Sequence, residues 1–581
     1  MNPPLTRRIG LFLSAALAAA STFALAAPAV SQGAAARQPR TETPMPALTK
    51  LQSLAEEFYL WRYDEYPVWS TDAGRHTADD KITDYSPAAI ARRQARVKEF
   101  RARFDALPEG PGLDEKVDRK LFGSTLARAE FQQAVLRGES RDPQTYVDEC
   151  SNAIFSLLKK DFAPNAVRLK DATARMRAMP ALLEQGKKNL TEPVGLYADL
   201  AMESADGIGL LFTESLESLA KGVPEADVRA MHEARDAALK AIGLYAAWLK
   251  ERRPSMKNDF AMGKAHYAHF LEKILLLPLT PDEVVSLGEA ELARSRATQA
   301  WIAPAAAAAP KPAPPKDQDA FLHGYEARTA EIVKFLHDRK ILTVPDDIGP
   351  FYIRKLPEAF KPTSPGGFMN APGVFDKDLS GFYFIPTYDP HPVNFFLRAA
   401  IEDPRPILGH EGIPGHHLQI SLADRHPDPV RRFHDDGVFI EGWAFYTEEM
   451  LDRSGLYDDR PDTRLQVMQL LRMRAARIAV DVRLATGEWT FEQGVDYFVN
   501  QGGLDREAAK GEAAGAAAGP GYKIQYLVGK WQIEKILGRV RDKEGASFSL
   551  QHFHDRLLSY GSIPLSMVEE LMLGEEKTAM K

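Results

Sequence analysis

Apolar residues recur three and four positions apart over much of the chain between about Ala47 and Ala300. This spacing is that of one face of an α-helix whose other face carries charged residues. The clearest examples are LQSLAEEFYLWRYDEY, AIARRQARVKEFRARFDAL, DVRAMHEARDAALKAIGLYAAWLKERR and DEVVSLGEAELARSRATQAWI. The pattern predicts a helical region over residues 47–302, with its Leu, Phe and Trp stripes in the core.

Two segments depart from this pattern. Residues 303–316, APAAAAAPKPAPPK, predict a flexible or extended loop, because proline lacks the N–H that an interior helical position donates. Residues 366–390 alternate Gly, Pro and Asn with aromatic residues, and GFYFIPTY within them predicts a strand of a small sheet. We expect the stretch from Gly381 to Tyr388 to lie beside the functional site, where an extended peptide could pair with it by strand addition.

Helical spacing returns after this strand and continues towards the C-terminus, for example in TRLQVMQLLRMRAARIAVDVRLATGEW. The Gly/Ala-rich stretch KGEAAGAAAGPGY is predicted to interrupt these helices. No convincing internal repeat occurs. The chain is therefore predicted to be mainly α, with residues 317–581 carrying the functional site and forming one integrated domain with the preceding helices.

The first residues have the features of an export signal. Arg7 and Arg8 precede an apolar stretch that ends in small residues near Ala26. We expect residues 1–26 to be removed and residues 27–46 to form a flexible mature N-terminus. No cysteine directly follows the signal, and no other stretch approaches the roughly 20 apolar residues that a membrane span needs. The sequence predicts a periplasmic or secreted protein without a membrane anchor after cleavage.

Charge and cysteine usage narrow the classes of function. The 581 residues are 45% hydrophobic and 26% charged, with 73 Lys plus Arg against 80 Asp plus Glu and a formal net charge of -7. No long block of one sign occurs, so nothing resembles a nucleic-acid footprint. Cys150 is the only cysteine, which excludes an internal disulfide. We expect a slightly acidic, soluble protein that is stabilised by its core alone.

The stretch HEGIPGHHLQ, residues 410–419, carries candidate metal chemistry. Zinc peptidases commonly use HExxH on one helix, where the two histidines share a face and the glutamate activates water. His410 and Glu411 match the opening of that motif, but Pro414 stands where the second histidine is expected. Pro414 and Gly415 disfavour an unbroken helix.

Two histidines are candidates for the second ligand. On an unbroken helix, at roughly 100° per residue, His417 would return to the face of His410. A local bulge that absorbs two extra residues would instead bring His416 into that place, and Pro414 would mark the distortion. These residues leave both assignments open, beside the plainer alternative of a solvated loop or a hydrogen-bonded core cluster.

The stretch FIEGWAFYTEEM, residues 439–450, predicts a helix that supplies a third ligand. Glu441 and Glu448 are seven residues apart and therefore share a face. Because the residues around Glu441 are mostly apolar, its carboxylate would be buried and would need a partner such as zinc. With His410 and a second histidine it would leave a fourth position open for water, as in catalytic zinc sites. Glu448 is expected to orient a histidine ligand through the free ring nitrogen.

Both motifs resemble those of the bacterial family known as domain of unknown function 885. Its HExxPGHHxQ pattern is matched by HEGIPGHHLQ, and its EGWAxYxE pattern by EGWAFYTE. The resemblance covers nearly the whole mature chain, including YPVWSTDAGRHTADD and PGYKIQYLVGKWQI. The family is itself similar to helical zinc peptidases of the gluzincin type, including the carboxypeptidase Taq group. The resemblance implies an elongated multi-helix fold with a cleft and a small sheet, and it favours His416 as the second ligand.

One segment departs from the family pattern. Where many members have a histidine in D-x-G-[IL]-H, this chain reads DVRLA, with Arg483 for the glycine and Ala485 for the histidine. If that histidine helps to hold the substrate or the transition state, this chain belongs to a subgroup with altered specificity or a different stabilising group.

Two tyrosines and three arginines are further candidates for the site. Tyr522 and Tyr526, in GPGYKIQY, are four residues apart and could share a helix face as donors to a developing oxyanion. Tyr526 is preferred because it matches the family's tyrosine, and a plain core position is the alternative for either. The residues that could grip a substrate carboxylate are Arg354, Arg474 and Arg477, although solvated or structural arginines are commoner.

The leading hypothesis is a zinc-dependent peptidase in which Zn²⁺ binds His410, His416 and Glu441 and Glu411 acts as general base. A carboxypeptidase or dipeptidase acting on a peptide or small amide is expected. The alternatives are a zinc hydrolase of a non-peptide amide or amino-acid conjugate, and a non-catalytic metal-binding protein. Glu411 argues against the last, because zinc binding does not require that base.

Overall fold

The computed structural model describes residues 48–311, 313–356 and 367–574. The predicted export signal and flexible mature N-terminus, residues 1–46, lie outside the described residues. Within the described ranges, no helix is long and apolar enough to cross a membrane.

The described residues are mainly helical, as the sequence predicts. Before the sheet, the α-helices are α1 (Lys50–Glu65), α2 (Pro67–Asp72), α3 (Pro87–Asp105), α4 (Leu113–Phe131), α5 (Gly138–Arg141), α6 (Gln144–Leu158), α7 (Asn165–Asn189), α8 (Gly195–Gly207), α9 (Glu225–Arg252), α10 (Lys264–His269), α11 (Pro281–Ala308) and α12 (Gln318–Asp338). After the sheet they are α13 (Phe395–Glu402), α14 (Arg405–Glu411), α15 (His416–Ala423), α16 (Pro429–Arg432), α17 (Gly437–Arg453), α18 (Pro461–Thr486), α19 (Phe491–Tyr497), α20 (Arg506–Ala518), α21 (Gln525–Glu544), α22 (Leu550–Ser559) and α23 (Leu565–Gly574).

Side-chain caps begin several of the helices that the spacing predicts. Thr49 caps α1 and Thr280 caps α11, each in a capping box. Asp436 caps α17 by accepting a hydrogen bond from the N–H of Phe439. The four N-terminal segments chosen for their apolar spacing lie in α1, α3, α9 and α11, so those predictions are confirmed.

α11 corrects the loop predicted over residues 303–316. The helix continues through Pro304 and ends at Ala308. Pro304 lies on an exposed turn, where water can bond the carbonyl that the missing N–H leaves free. The prediction is therefore wrong for the first part of this segment.

α20 corrects the interruption predicted at KGEAAGAAAGPGY. Asp505 caps the helix, which runs through this Gly/Ala-rich stretch as far as Ala518. Its small residues are mostly buried, and Ala514 packs against Leu200 of α8. Close packing against neighbouring helices outweighs the weak helix propensity of glycine, which is why composition alone misled the prediction.

Three short strands form the predicted small sheet, and its presence is confirmed. Strands β1 (Phe351–Lys355), β2 (Phe368–Asn370) and β3 (Gly381–Ile385) lie in the order β1-β3-β2. β1 runs parallel to β3, and β2 runs antiparallel to it. β3 is thus the central strand with both edges occupied, so the expectation that a peptide adds to it is wrong.

One apolar cluster joins both ends of the described chain. It contains Phe58 of α1, Leu121 of α4, Trp443 of α17 and Leu571 of α23. A second cluster lies mainly in α6 to α9 and includes Met176. α17, which carries Glu441, is therefore held within the main core by helices from distant parts of the sequence.

Candidate metal centre

The HEGIPGHHLQ segment folds as two helices joined by a turn, whereas the sequence suggested one bulged helix. α14 ends at Glu411 and α15 begins at His416. The turn folds back on α14, so that an ideal Cβ on Gly415 would lie 1.9 Å from the carbonyl oxygen of His410. Only glycine fits there. Trp443 of α17 donates a 2.7 Å hydrogen bond from Nε1 to the carbonyl of Pro414, which ties the turn to α17.

This turn brings together the three residues predicted to hold a metal. The rings of His410 and His416 lie 4.7 Å apart, centroid to centroid, with their planes at 84°. Glu441 reaches both, its Oε2 atom lying 3.7 Å from Nε2 of His410 and 3.5 Å from Nε2 of His416. All three side chains are buried, and one ligand atom from each lies within 4.8 Å of the others. We call this group the His/His/Glu cluster; within the described ranges no other set of three such ligands converges.

The chemistry of the cluster fits a divalent cation. Burial opposes a charge on His410, but the carboxylates of Glu441 and Glu448 outweigh it and raise the pKa of His410 to about 9. Burial would raise the pKa of Glu441, yet His410 and His416 hold that pKa well below its usual range. The surroundings thus favour positive charge between these groups. Two imidazole nitrogens and a carboxylate oxygen are donors that zinc prefers.

Glu448 occupies the orienting position that the sequence suggested. Its Oε1 atom lies 2.8 Å from Nδ1 of His410. Arg474 of α18 pairs with the same carboxylate, with Nη2 2.8 Å from Oε1. This arrangement favours a proton on Nδ1 of His410 and leaves Nε2 directed at the cluster.

His417 lies outside the cluster. Its Nε2 atom is 2.8 Å from the carbonyl oxygen of Gly349, and its ring packs on Phe351 with the centroids 5.0 Å apart. The same ring packs closely on Gly381 at the start of β3. An added Cβ on Gly381 would lie only 2.3 Å from Nδ1 of His417. His417 therefore anchors α15 to the sheet, and only His416 faces His410.

Glu411 follows His410 and carries an unpaired carboxylate. It is half-buried, and no hydrogen bond or ion pair joins its side chain to a described residue. Burial raises the pKa of this carboxyl, against the opposing effect of the nearby histidines of the cluster. A carboxylate with a raised pKa and access to solvent is suited to exchange protons with water.

Both predicted tyrosines reach the cluster, but they do not share a helix face. Tyr522 lies in the turn before α21, and its hydroxyl donates a 2.5 Å hydrogen bond to Oε1 of Glu441. Tyr526 lies in α21, with its hydroxyl 3.1 Å from that of Tyr522 and its ring parallel to that of His410, the centroids 6.2 Å apart. Because the Tyr522 proton goes to Glu441, Tyr526 is the donor in the hydrogen bond between the two hydroxyls.

A close helix crossing brings Tyr526 to the cluster. An ideal Cβ on Gly442 of α17 would lie 2.4 Å from the Cα of Gly529 in α21, so the two backbones touch. Gly442 is the glycine of the EGWA motif. Burial raises the pKa of Tyr526 well above its usual range, so the hydroxyl stays protonated and can donate.

Arg474 and Arg477 were predicted to bind a substrate carboxylate. In the structure both are instead paired with glutamates of the chain. Arg477 binds Glu512 of α20 through Nε and Nη2, at 2.7 and 2.8 Å, and its guanidinium carbon lies 4.7 Å from the ring centroid of Tyr526. Lys523 adds a second cation 3.2 Å from Glu512. Glu512 and Lys523 were not among the site residues predicted from the sequence. A lone glutamate in an apolar Gly/Ala-rich stretch was the available signal, since a buried carboxylate needs a partner.

The remaining candidates are Arg354 and the segment of α18 that departs from the family pattern. Arg354 lies on β1, with its guanidinium 4.7 Å from the Tyr352 ring centroid. Asp481 accepts the backbone N–H groups of Gly521 and Lys523 and so fixes the turn before Tyr522. Ala485 is buried and lies four residues after Asp481, on the same face of α18. The position where many family members have a histidine therefore lies on the face of α18 that holds the turn before Tyr522.

A family model described as a bacterial protein of unknown function, DUF885, matches residues 67–572. Two solved structures share the fold. One, from Shewanella oneidensis, is described as a "putative lipoprotein of unknown function"; it is 22% identical, with a TM-score of 0.73 over 90% of this chain and 100% of that chain. The other, from Colwellia psychrerythraea, is described as a "putative lipoprotein"; it is 17% identical, with a TM-score of 0.77 over 91% of this chain and 99% of that chain. No curated protein matches this chain.

Proposed function

The chain belongs to the bacterial DUF885 family of unknown function, and we propose that it is a zinc-dependent hydrolase of peptide bonds, acting as an exopeptidase. We extend the proposal to the fold, which we regard as similar to that of helical gluzincin peptidases. The order of its parts supports this: an HE pair at the end of one helix, a second histidine at the start of the next, and a glutamate from a later helix.

One observation carries the proposal: the unpaired carboxylate of Glu411 adjoins a buried cluster of three metal-ligand side chains. A metal site that only stabilises the fold needs its ligands but no free acid beside them. Such sites also tend to be closed by four protein ligands. Three ligands beside a free carboxylate are the donor set of a hydrolytic zinc site.

Each residue of the proposed site has a separate role in the reaction. His410, His416 and Glu441 would hold the ion. A bound zinc ion supplies Lewis acidity, which polarises a substrate carbonyl and lowers the pKa of water. Glu411 takes a proton from the attacking water and delivers it to the leaving amine. Tyr526 gives up its hydrogen bond to Tyr522 and donates instead to the oxygen on which negative charge develops.

Other residues keep these groups in position. Glu448, held by Arg474, orients His410, and Tyr522 orients Glu441 through a hydrogen bond. Such supporting contacts typically contribute about 10- to 100-fold to metal affinity or activity.

We further propose that the protein acts in the periplasm or is secreted. The support is the export-type sequence that ends near Ala26, together with the two structural relatives described as putative lipoproteins.

Digestion of a mixed peptide library by the zinc-loaded protein, followed by mass spectrometry, tests the proposed function. We expect cleavage that disappears when the metal is removed with a chelator and returns with added zinc. Release of residues from one chain end would support exopeptidase action, whereas internal cuts would contradict it.

Absence of any cleavage by the zinc-loaded protein would contradict the peptidase proposal. The same preparation would then be tested on N-acyl amino acids, because the same residues could hydrolyse a non-peptide amide. Turnover of those compounds alone would replace the proposal with the amidohydrolase alternative.

A further inference from the structure

Arg128, on α4, carries a guanidinium without a partner. The side chain is half-buried, and no hydrogen bond or ion pair joins it to any residue of the described ranges. Because the side chain is only half-buried, part of it is exposed to solvent. Burial lowers the pKa of Arg128, as expected for a cation in protein surroundings without an adjacent counter-ion. Arginines in such surroundings are ordinarily paired.

One set of contacts connects Arg128 to the helix that supplies the third ligand. Thr125, one turn earlier on α4, lies with Oγ1 3.2 Å from Nδ1 of His434. His434 comes two residues before Asp436, the N-cap of α17. Glu441 is five residues beyond that cap, about 7.5 Å along the helix axis at 1.5 Å per residue. Arg128 therefore lies near the start of α17.

A second set of contacts connects the end of α4 to the tyrosine turn. Phe131, nearly one turn after Arg128, packs on Phe270 with the ring centroids 5.7 Å apart. The Phe270 ring packs closely on Gly521, so that an added Cβ on Gly521 would lie 2.3 Å from the ring. Gly521 precedes Tyr522, which hydrogen-bonds to the cluster. Arg128 thus lies between two connections that both lead to the His/His/Glu cluster.

The charged groups around Arg128 are one further cation and two carboxylates that do not pair with it. Arg62 of α1 is a second cation nearby that also lowers the pKa of Arg128; its guanidinium carbon lies 5.3 Å from the Trp69 ring centroid, and among the described residues no acid pairs with it. Asp435 and Asp436 attract Arg128 electrostatically without forming an ion pair with it. Two unpaired guanidiniums near each other favour a bound carboxylate, which each can hold through two N–H groups.

We propose that Arg128, with Arg62 beside it, binds the C-terminal carboxylate of the substrate and makes the protein a carboxypeptidase. This inference rests on the proposed peptidase function. Because Arg128 lies near the start of the helix that carries Glu441, a peptide held there by its terminal carboxylate would be cut close to its C-terminus.

Two peptide libraries of identical sequences, one with free C-terminal carboxylates and one with C-terminal amides, test the proposal. The zinc-loaded protein is expected to cut the acid library roughly 10- to 100-fold faster, the factor that corresponds to hydrogen bonds with a charged group. Arg128→Met should lower the rate on the acid library towards that on the amide library, and Arg128→Lys should keep part of the preference. Arg229→Met, at an exposed arginine of α9, is the matched control and should change neither rate.

Equal loss of both rates in Arg128→Met and Arg128→Lys, or no acid preference in the unaltered protein, would overturn the proposal. Equilibrium dialysis of both libraries against the Glu411→Gln protein separates binding from turnover. Retention of acid peptides that depends on Arg128, without cleavage by the unaltered protein, would refute the peptidase function and support the carboxylate site. Cleavage without an Arg128-dependent preference would support the peptidase function and refute the carboxylate site. If the protein neither cleaves nor retains the peptides, both proposals are overturned.

Discussion

Nδ1 of His410 lies 2.8 Å from Oε1 of Glu448, in a contact buried on both sides. The contact joins α14 to α17, and Arg474 extends it to α18. The first proposed ligand is thus held by a carboxylate that is itself held by a cation. The orientation of His410 therefore depends on two residues that do not belong to the His/His/Glu cluster.

Glu448→Gln should weaken zinc binding roughly 10- to 100-fold, because a neutral amide holds the imidazole less firmly than a carboxylate does. Competition with a chromogenic zinc chelator gives the affinity. Glu449→Gln is the matched control: the next residue on the same helix is buried but pairs with Lys530 at 2.8 Å and not with His410. Equal weakening in both variants would show that Glu448 has no specific role at the site.

His416→Ala should lower zinc stoichiometry, whereas His417→Ala should leave it near that of the unaltered protein. His416 faces Glu441, while the Nε2 atom of His417 is bonded to the carbonyl of Gly349. Elemental analysis of dialysed protein measures the metal content. Metal retained in the first variant and lost in the second would reverse the assignment.

Gly415→Ala should destabilise the fold by about 1–3 kcal/mol, because its Cβ would meet the carbonyl oxygen of His410 at 1.9 Å and push the two histidines apart. Thermal unfolding with and without zinc measures this loss. Gly538→Ala is the control, since nothing lies within 4 Å of the added Cβ, and it should be neutral or slightly stabilising in α21. A Gly415 variant as stable as the Gly538 variant would contradict the described turn.

Tyr526→Phe should lower kcat roughly 10²- to 10³-fold with little change in zinc affinity, as expected for the loss of one oxyanion donor. Tyr522→Phe should instead weaken zinc binding, because it removes the 2.5 Å hydrogen bond to Glu441. Kinetics on a cleaved library peptide and chelator competition separate the two effects. If both variants changed kcat and zinc affinity to the same extent, the separate roles proposed for Tyr522 and Tyr526 would be wrong.

The sequence predicted the helices and the residues that meet in the His/His/Glu cluster better than it predicted how the chain joins them. Periodicity located α1, α3 and α9 because each buries one face, which is a local property of the sequence. The break between α14 and α15 depends on contacts from Trp443 and on the close approach of Gly415 to His410. Those contacts come from the folded state, so the sequence left His416 and His417 undecided.

Long-range packing also explains the wrong predictions. The helix at α20 forms because its small residues are buried against α8 and other neighbours, and the central place of β3 follows from pairing with two distant strands. Arg128 gave no signal in the sequence because an arginine on an amphipathic helix is ordinarily solvated. Its unpaired guanidinium becomes apparent only when α4 is packed beside the segment that precedes α17.

Zinc content and peptide turnover, measured together on the Glu411→Gln protein, test the central claim most directly. Glu411 lies outside the His/His/Glu cluster, so the variant should bind zinc as the unaltered protein does. Its turnover should fall roughly 10²- to 10⁴-fold, because the residue that moves the proton is lost. Full activity with zinc bound would contradict the proposed mechanism.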